Sequence, residues 1–286
     1  MTTHLAADLI KQATELLESA GVADARHDAK ALLKAALTDQ ALSALQSDSL
    51  SISEVEYDRF QAFVKRRQCR EPLQHITQLA SILDLDIKTD ARALIPRQDS
   101  AALLTLVIDG LAGRKQEPLV IADLGTGSGV LLAECLQYFS EASGIAVERS
   151  EAALSLAEEN FARLGLANRV TSFAGSWCDW QGWHECDLIL SNPPYIRTDV
   201  LPALAPEVRD FDPMAALDGG ADGLTAYREI ISLGRDQMQP GAHLALEIGF
   251  DQKKAVSELL RNAGFGNLEH RQDLGGQDRA IVATKS

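Results

Sequence analysis

Asp187-Leu188-Ile189-Leu190-Ser191-Asn192-Pro193-Pro194-Tyr195 is an apolar run that leads directly into a proline-rich turn. The apolar part predicts a buried strand, which must end at the prolines because they lack an N–H group and have a restricted φ. Open α/β sheets bind their ligands at the carboxyl ends of the strands. There the Asn192 side-chain carbonyl and the Pro193 backbone carbonyl can accept both hydrogens of a planar –NH2 group, and Tyr195 can stack on its face. The stretch therefore predicts a binding site for a planar amino group.

Strands and helices alternate on both sides of this stretch. Apolar runs predict strands at 119–122, 144–147, 169–173, 188–191 and 243–248, with a final hairpin at 267–271 and 279–284. Helical patterns fall between them at 130–139, 150–164, 224–238 and 252–262. Strands that are joined by helical crossovers form parallel, doubly wound sheets. We therefore predict an α/β fold with a mostly parallel, Rossmann-like sheet of seven strands.

Residues 1–70 contain only helical patterns. The apolar side of the first helix is predicted to carry Leu5, Leu9, Ala13, Leu16 and Leu17. Asp24 is expected to cap a second helix, and Ser53 with Glu56 predicts a capping box at the start of another. Short amphipathic helices bury their apolar sides on each other, so this region predicts a small all-α bundle.

The remaining domain boundaries follow from the connection after the bundle. Pro72 and the alternation of Ile82, Leu83, Leu85 and Ile87 predict a hairpin linker over 71–97, followed by the α/β domain over 98–286. The bundle ends in a basic cluster, residues 65–70, where cations suit a helix C-terminus and could also attract a partner. We expect the domain 1–70 to dock that partner.

Composition limits the classes of partner. The 286 residues carry a formal net charge of −14, which argues against stable binding to a long nucleic-acid backbone. The sequence predicts neither a membrane-spanning helix nor a secretion signal, so we expect a cytoplasmic protein without a membrane partner. The four cysteines form no C-x-x-C pair and no zinc-like spacing with the six histidines, so no metal site is expected.

A second motif, Gly125-Thr126-Gly127-Ser128-Gly129, follows the first predicted strand and begins a helix. Its glycines let the backbone pass close to a ligand, but it lacks a P-loop lysine and the G-x-G-x-x-G spacing of dinucleotide sites. Glu148, at the end of the next strand, can accept hydrogen bonds from both ribose hydroxyls of an adenosine. Trp177 follows the third strand, where an indole either stacks on an adenine or packs in the core.

Together these residues resemble class I S-adenosylmethionine-dependent methyltransferases, and Asn-Pro-Pro-Tyr resembles the branch that methylates planar amino groups. Further segments are similar to the peptide chain release factor glutamine methyltransferases. These segments are Arg70–Ile76, Leu94–Arg97, Arg209–Pro213 and Ala216–Leu224. The resemblance implies N5-methylation of the glutamine in the Gly-Gly-Gln motif of release factors, with S-adenosyl-L-methionine as the methyl donor.

The resemblance also implies a role for each motif residue. Cofactor contacts would fall on Gly125, Thr126, Gly127, Ser128, Gly129, Glu148, Trp177 and Asn192. Substrate contacts would fall on Asn192, Pro193, Pro194 and Tyr195, of which Asn192, Pro193 and Tyr195 would be catalytic. Two fixed carbonyl acceptors would align the poorly nucleophilic amide nitrogen with the methyl group, without a histidine as general base.

Four alternatives stay open at this point. A glutamine methyltransferase that acts on a ribosomal protein would share all of this chemistry. A nucleic-acid adenine N6-methyltransferase is disfavoured by the acidic charge. A non-enzymatic cofactor-binding module is conceivable because Gln98-Asp99-Ser100-Ala101 departs from the family's usual Pro-Asp/Glu-Thr-Glu. A nicotinamide-dependent oxidoreductase would leave Asn-Pro-Pro-Tyr unexplained.

Overall fold

The computed structural model describes residues 4–38 and 51–286, which divide into two compact units. The first unit runs to Leu79 and includes the separate segment Ala205–Phe211. The second comprises Ala80–Leu204 and Asp212–Ser286. This division differs from the sequence-based boundaries, because the segment Ala205–Phe211 follows the Asn-Pro-Pro-Tyr turn in the chain but packs with the N-terminal helices.

The first unit is built from helices α1 (Ala6–Ser19), α2 (Ala25–Ala36), α3 (Glu54–Gln68) and α4 (Leu73–Thr77), with the short antiparallel pair β1 (His4–Leu5) and β2 (Ser51–Ile52). Its core includes Leu9, Leu17, Leu32, Leu33 and Phe60, each no more than 3% exposed. These residues recur at helical spacing, so each helix turns one apolar side inward. The predicted helical bundle is therefore present, and the strand pair β1–β2 is an addition that the all-α prediction did not include.

Local details of the bundle differ from the sequence prediction at three positions. Leu5 and Leu16 are 41% and 44% exposed, because Leu5 precedes α1 and Leu16 lies at the edge of its buried stripe. Asp24 occupies the N-cap of α2, but its side chain accepts no capping hydrogen bond from the described residues. The predicted capping box is confirmed, since Ser53 and Glu56 each accept a hydrogen bond from the other's backbone N–H.

The basic cluster 65–70 is largely neutralised within the first unit. Arg67 is buried and pairs with Asp28 at 2.7 Å and with Glu207 at 3.1 Å. Arg70 pairs with the same Glu207 at 2.7 Å, and Arg66 pairs with Glu71. The cluster therefore holds the segment Ala205–Phe211 on the helices, so most of the positive charge that was expected to attract a partner is already paired.

The second unit begins within the hairpin strand β3 (Leu79–Ile82), continues through its partner β4 (Leu85–Lys88) and contains one large sheet. The sheet consists of β5 (Val120–Leu124), β6 (Ser143–Glu148), β7 (Val170–Ala174), β8 (Leu188–Ser191), β9 (His243–Glu247), β10 (Phe265–Gln272) and β11 (Asp278–Lys285). Their order is β10-β11-β9-β8-β5-β6-β7, in which β9 to β7 are parallel and β11 is antiparallel to both neighbours. The predicted seven-stranded, mostly parallel sheet is confirmed, and every predicted strand end lies within two residues of the observed one.

Helices cover both faces of this sheet. They are α5 (Ala101–Gly110), α6 (Val130–Tyr138), α7 (Glu151–Arg163), α8 (Thr225–Gln237) and α9 (Lys253–Asn262). Two apolar cores result, one on each face, and β8 between them is buried along its whole length. The chain proceeds from β5 to β6 and β7 on one side and then crosses to β8 and β9 on the other. This reversal makes the carboxyl ends of β5 and β8 the place where a ligand crevice is expected.

Candidate active site

A cavity of about 260 Å³ lies at the carboxyl ends of β5, β6 and β8. The residues that the sequence analysis assigned to a cofactor or an acceptor and that line this cavity are Gly125, Thr126, Gly127, Ser128, Glu148, Trp177, Asn192, Pro193 and Pro194. Among the described residues, Gly129 and Tyr195 were assigned to the same site but do not line it. The glycine-rich loop, Glu148 and the Asn-Pro-Pro-Tyr turn thus meet at one place, although they are far apart in the chain.

The glycine-rich loop owes its shape to left-handed backbone at alternate positions. Gly127 has a φ of +55°, and a Cβ added there would lie 3.9 Å from the Cβ of Ala93, which also lines the cavity. Gly129 has a φ of +83°, and its added Cβ would lie 2.8 Å from Cζ of Phe161 on α7. Gly127 therefore leaves room on the cavity side, whereas Gly129 allows α6 and α7 to approach each other.

Asp123, which the sequence analysis did not single out, holds the glycine-rich loop in place. Its side chain is buried, and one carboxyl oxygen accepts a hydrogen bond of 2.8 Å from the Thr126 hydroxyl. Burial raises the pKa of Asp123 to about 7, and the nearby carboxylate of Glu148 acts in the same direction. The loop is thus tied to the end of β5 by a carboxyl group that burial makes a weaker acid.

Glu148 is fixed at the end of β6 by two backbone amides. Its Oε2 accepts a hydrogen bond of 3.1 Å from the N–H of Gly127, and its Oε1 accepts one of 2.9 Å from the N–H of Ser150. Ser150 in turn caps α7 by accepting a hydrogen bond from the backbone N–H of Ala153. Each carboxylate oxygen has more than one acceptor site, so Glu148 can still bind two neighbouring hydroxyls of a ligand in the cavity.

Trp177 lines the cavity and follows β7 in the chain. Its ring is half-buried and packs against the core on one side while it lines the cavity on the other. The indole N–H lies 3.3 Å from Oε2 of Glu229, which also lines the cavity. The two interpretations of Trp177, core packing and a stacking surface, are therefore compatible in this geometry.

The Asn-Pro-Pro-Tyr turn begins where β8 ends. Asn192, Pro193 and Pro194 line the cavity, whereas the Tyr195 hydroxyl points to the carboxylate of Glu247, at 3.4 Å. Burial, together with Glu247, raises the pKa of Tyr195 above its usual range, so the phenol is neutral at physiological pH. The expected stacking of Tyr195 on an acceptor amide stays a prediction.

An ion pair that the sequence analysis missed closes one side of the cavity. Arg97 lines the cavity and pairs with the fully buried carboxylate of Asp212 at 2.6 Å. Burial raises the pKa of Asp212, while the Arg97 guanidinium opposes that shift. The chain after Asp212 then returns to the cavity wall, where Arg149 donates a hydrogen bond to the Ala215 carbonyl. Two segments that were quoted only for their family resemblance are therefore joined at the site.

No group of three or more His, Cys, Asp or Glu side chains within 4–38 and 51–286 is placed to hold a metal ion. In that part of the chain, no helix is both long and apolar enough to cross a membrane.

The sequence of this chain matches two protein families and several known relatives. Residues 8–77 match the PrmC N-terminal domain family, and residues 100–204 match the methyltransferase small domain family. A release factor glutamine methyltransferase from Agrobacterium fabrum is 37% identical over 97% of this chain and 96% of its own length. One from Moorella thermoacetica is 38% identical over 95% of both chains.

Solved structures support the fold. The ribosomal protein L11 methylase of Lactobacillus delbrueckii subsp. bulgaricus has a TM-score of 0.50 at 19% identity, over 70% of this chain and 85% of the other. The hMettl16 catalytic domain has a TM-score of 0.54 at 14% identity, over 70% of this chain and 75% of the other. Such identities establish a shared class I methyltransferase architecture only. The extent and identity of the sequence matches decide the family: this chain belongs to the release factor glutamine methyltransferases.

Proposed function

We propose that this protein transfers the methyl group of S-adenosylmethionine to the side-chain nitrogen of the glutamine in the Gly-Gly-Gln motif of peptide chain release factors, in the cytoplasm. One observation carries the proposal. A single cavity is lined both by Glu148 with the glycine-rich loop and by Asn192 with Pro193, so a methyl donor and a planar amide can meet there. The names of the relatives support the choice of acceptor.

The residues present suit S-adenosylmethionine. The Glu148 carboxylate is preset by two backbone N–H groups and would bind the ribose hydroxyls. The Trp177 ring lines the same cavity and can stack on an adenine, and Gly127 leaves space beside Ala93 for the ligand. When bound, the cofactor supplies a methyl group on a sulfonium, which is strongly electrophilic.

The Asn-Pro-Pro-Tyr turn, residues 192–195, is the acceptor turn, and its carbonyl groups can compensate for the poor nucleophilicity of an amide nitrogen. Its nitrogen lone pair is delocalised into the carbonyl group, so attack requires the nitrogen to leave planarity. The Asn192 side-chain carbonyl and the Pro193 backbone carbonyl accept the two N–H groups, which holds the nitrogen in line and favours electron density on it. After methylation the nitrogen is strongly acidic and releases its proton to water. The net charge of −14 favours a protein acceptor over a nucleic acid.

The experiment is peptide mass spectrometry of a purified release factor after incubation with this protein and S-adenosylmethionine. We expect one methyl group on the glutamine of Gly-Gly-Gln. Control acceptors are the same factor with that glutamine replaced by alanine, a mixture of ribosomal proteins, and DNA. Methylation of a ribosomal protein or DNA, with an unmodified release factor, would overturn the proposal.

We further propose that the helical first unit docks the folded factor. Deletion of residues 1–70 would remove Arg67 and Arg70, the partners of Glu207, so a surface substitution is the cleaner test. Lys65 is exposed at the end of α3. Lys65→Glu should slow methylation of the whole factor, most strongly at low salt, and leave the rate on a short Gly-Gly-Gln peptide unchanged. Equal slowing on both acceptors would contradict docking through this surface.

A further inference from the structure

Two buried polar side chains, those of Glu247 and Gln252, contact Tyr195 at the end of the acceptor turn. Glu247, at the end of β9, is 1% exposed and accepts a hydrogen bond of 2.5 Å from the Ser100 hydroxyl. Its other oxygen faces the Tyr195 hydroxyl. Gln252, one residue before α9, is 8% exposed and contacts the backbone of the same tyrosine. Neither Glu247 nor Gln252 is among the described residues that line the cavity.

The Gln252 side chain is hydrogen-bonded at both ends of its amide group. Its Nε2 donates to the backbone carbonyls of Tyr195 at 3.0 Å and Gly223 at 3.1 Å. Its Oε1 accepts from the N–H of Gly249 at 2.9 Å, and the Tyr227 hydroxyl, which donates to the Glu247 backbone carbonyl at 2.9 Å, lies 3.3 Å from the same oxygen. Both donors and one acceptor site of the amide are therefore occupied. Turning the amide over would place its oxygen against two carbonyls, so the buried side chain has one favourable orientation and fixes the groups that it binds.

The hydrogen bond from Gln252 to the Tyr195 carbonyl is important because Tyr195 is the last residue of the acceptor turn. Tyr195 is two residues from Pro193, and the rings of Pro193 and Pro194 restrict φ at those two positions. At its start the turn is held by β8, where Ser191 pairs with Leu246 and its hydroxyl donates to the Leu124 carbonyl at 2.8 Å. At its end it is held by Gln252. The direction of the Pro193 carbonyl therefore depends on both anchors.

We propose that Gln252 is a positioning residue for methyl transfer, which acts through the Tyr195 carbonyl to aim the acceptor groups of Asn192 and Pro193. The inference rests on the proposed function, since it concerns the same turn. A displacement of about 1 Å in a reacting group can cost on the order of a hundredfold in rate. Gln252 does not touch the cavity, so cofactor affinity should be independent of it.

The test compares Gln252→Ala with the isosteric Gln252→Glu. Gln252→Glu keeps the volume but replaces the donor by an oxygen that faces the carbonyls of Tyr195 and Gly223. We expect both variants to lower kcat on a Gly-Gly-Gln peptide at least tenfold, with a smaller change in KM and with unchanged affinity for S-adenosylhomocysteine. Leu260→Ala, in the buried last part of α9, is the control for general loss of stability and should retain kcat.

Hydrogen exchange provides a readout that needs no activity. In both Gln252 variants the amides of Asn192, Tyr195 and Ile196 should exchange faster, whereas Leu260→Ala should leave them protected relative to the rest of the unit. A Gln252→Glu variant with normal kcat and normal exchange would overturn the inference and reduce Gln252 to a space-filling role. If the wild-type protein fails to methylate the peptide, the proposed function fails, and the exchange result alone decides whether Gln252 orders the turn.

Discussion

Replacing Gly127 by alanine should separate ligand binding from stability in the glycine-rich loop. The added Cβ would meet no protein atom closer than 3.9 Å, so the folded protein can accommodate it sterically. The cost to stability is the left-handed backbone at a φ of +55°, which for a residue with a Cβ is about 1–2 kcal/mol. The methyl group would, however, occupy space beside Ala93 in the cavity.

Two further glycines provide the comparison. Gly165, which follows α7, has a φ of +73° with no atom within 4 Å of an added Cβ, so Gly165→Ala measures backbone strain alone. Gly129→Ala adds a contact of 2.8 Å with Phe161, and overpacking of this kind costs a further 1–3 kcal/mol or so. We therefore expect the loss of stability to be about 1–2 kcal/mol for Gly127→Ala and Gly165→Ala, and about 2–5 kcal/mol for Gly129→Ala.

Urea unfolding and calorimetric titration with S-adenosylhomocysteine measure the two effects separately. Gly127→Ala should bind the ligand at least about tenfold more weakly, which corresponds to about 1.4 kcal/mol. Gly165→Ala should lose the same stability and keep the wild-type affinity. If Gly127→Ala binds as tightly as Gly165→Ala, the loop backbone does not approach the ligand, and the reasoning from its φ values and cavity position is refuted.

Three other predictions follow from single side chains. Asn192→Ala should keep the fold and lower turnover by a factor on the order of a hundred or more, measured by single-turnover mass spectrometry; a fully active variant would contradict the proposed mechanism. Asp123 has its pKa raised to about 7, above an unfolded value of about 3.9, so the native state holds its proton more tightly. Its contribution to stability should therefore be present in acid and be lost as the pH rises from about 4 to 7, and Asp123→Asn should flatten this dependence in urea unfolding; an unchanged pH slope would count against it. Arg67→Ala should destabilise the first unit by about 3–5 kcal/mol, because it leaves the buried carboxylate of Asp28 without its partner. Thermal unfolding followed by circular dichroism measures this loss of stability. A loss below about 1 kcal/mol would show that the ion pair is dispensable.

The sequence by itself determined the secondary structure of the catalytic unit. The apolar run 188–191 is the observed strand β8, and the proline turn and glycine-rich loop follow their strands as predicted. These features are decided by neighbours in the chain: side-chain periodicity, the missing N–H of proline and the left-handed backbone of glycine. The parallel sheet then follows because short crossovers between strands permit few topologies.

Only the tertiary structure decided which side chains meet. Arg97 pairs with Asp212 across 115 residues, and Ser100 bonds to Glu247 across 147. The Tyr195 hydroxyl lies against Glu247, 52 residues further along the chain, while the stacking of its ring on an acceptor stays a prediction. Such pairs depend on how loops pack after the sheet has formed, and a charged or polar residue carries no local mark of a distant partner. The sequence therefore located the strand ends that build the site, while the orientation of each group around them was set by packing between remote parts of the chain.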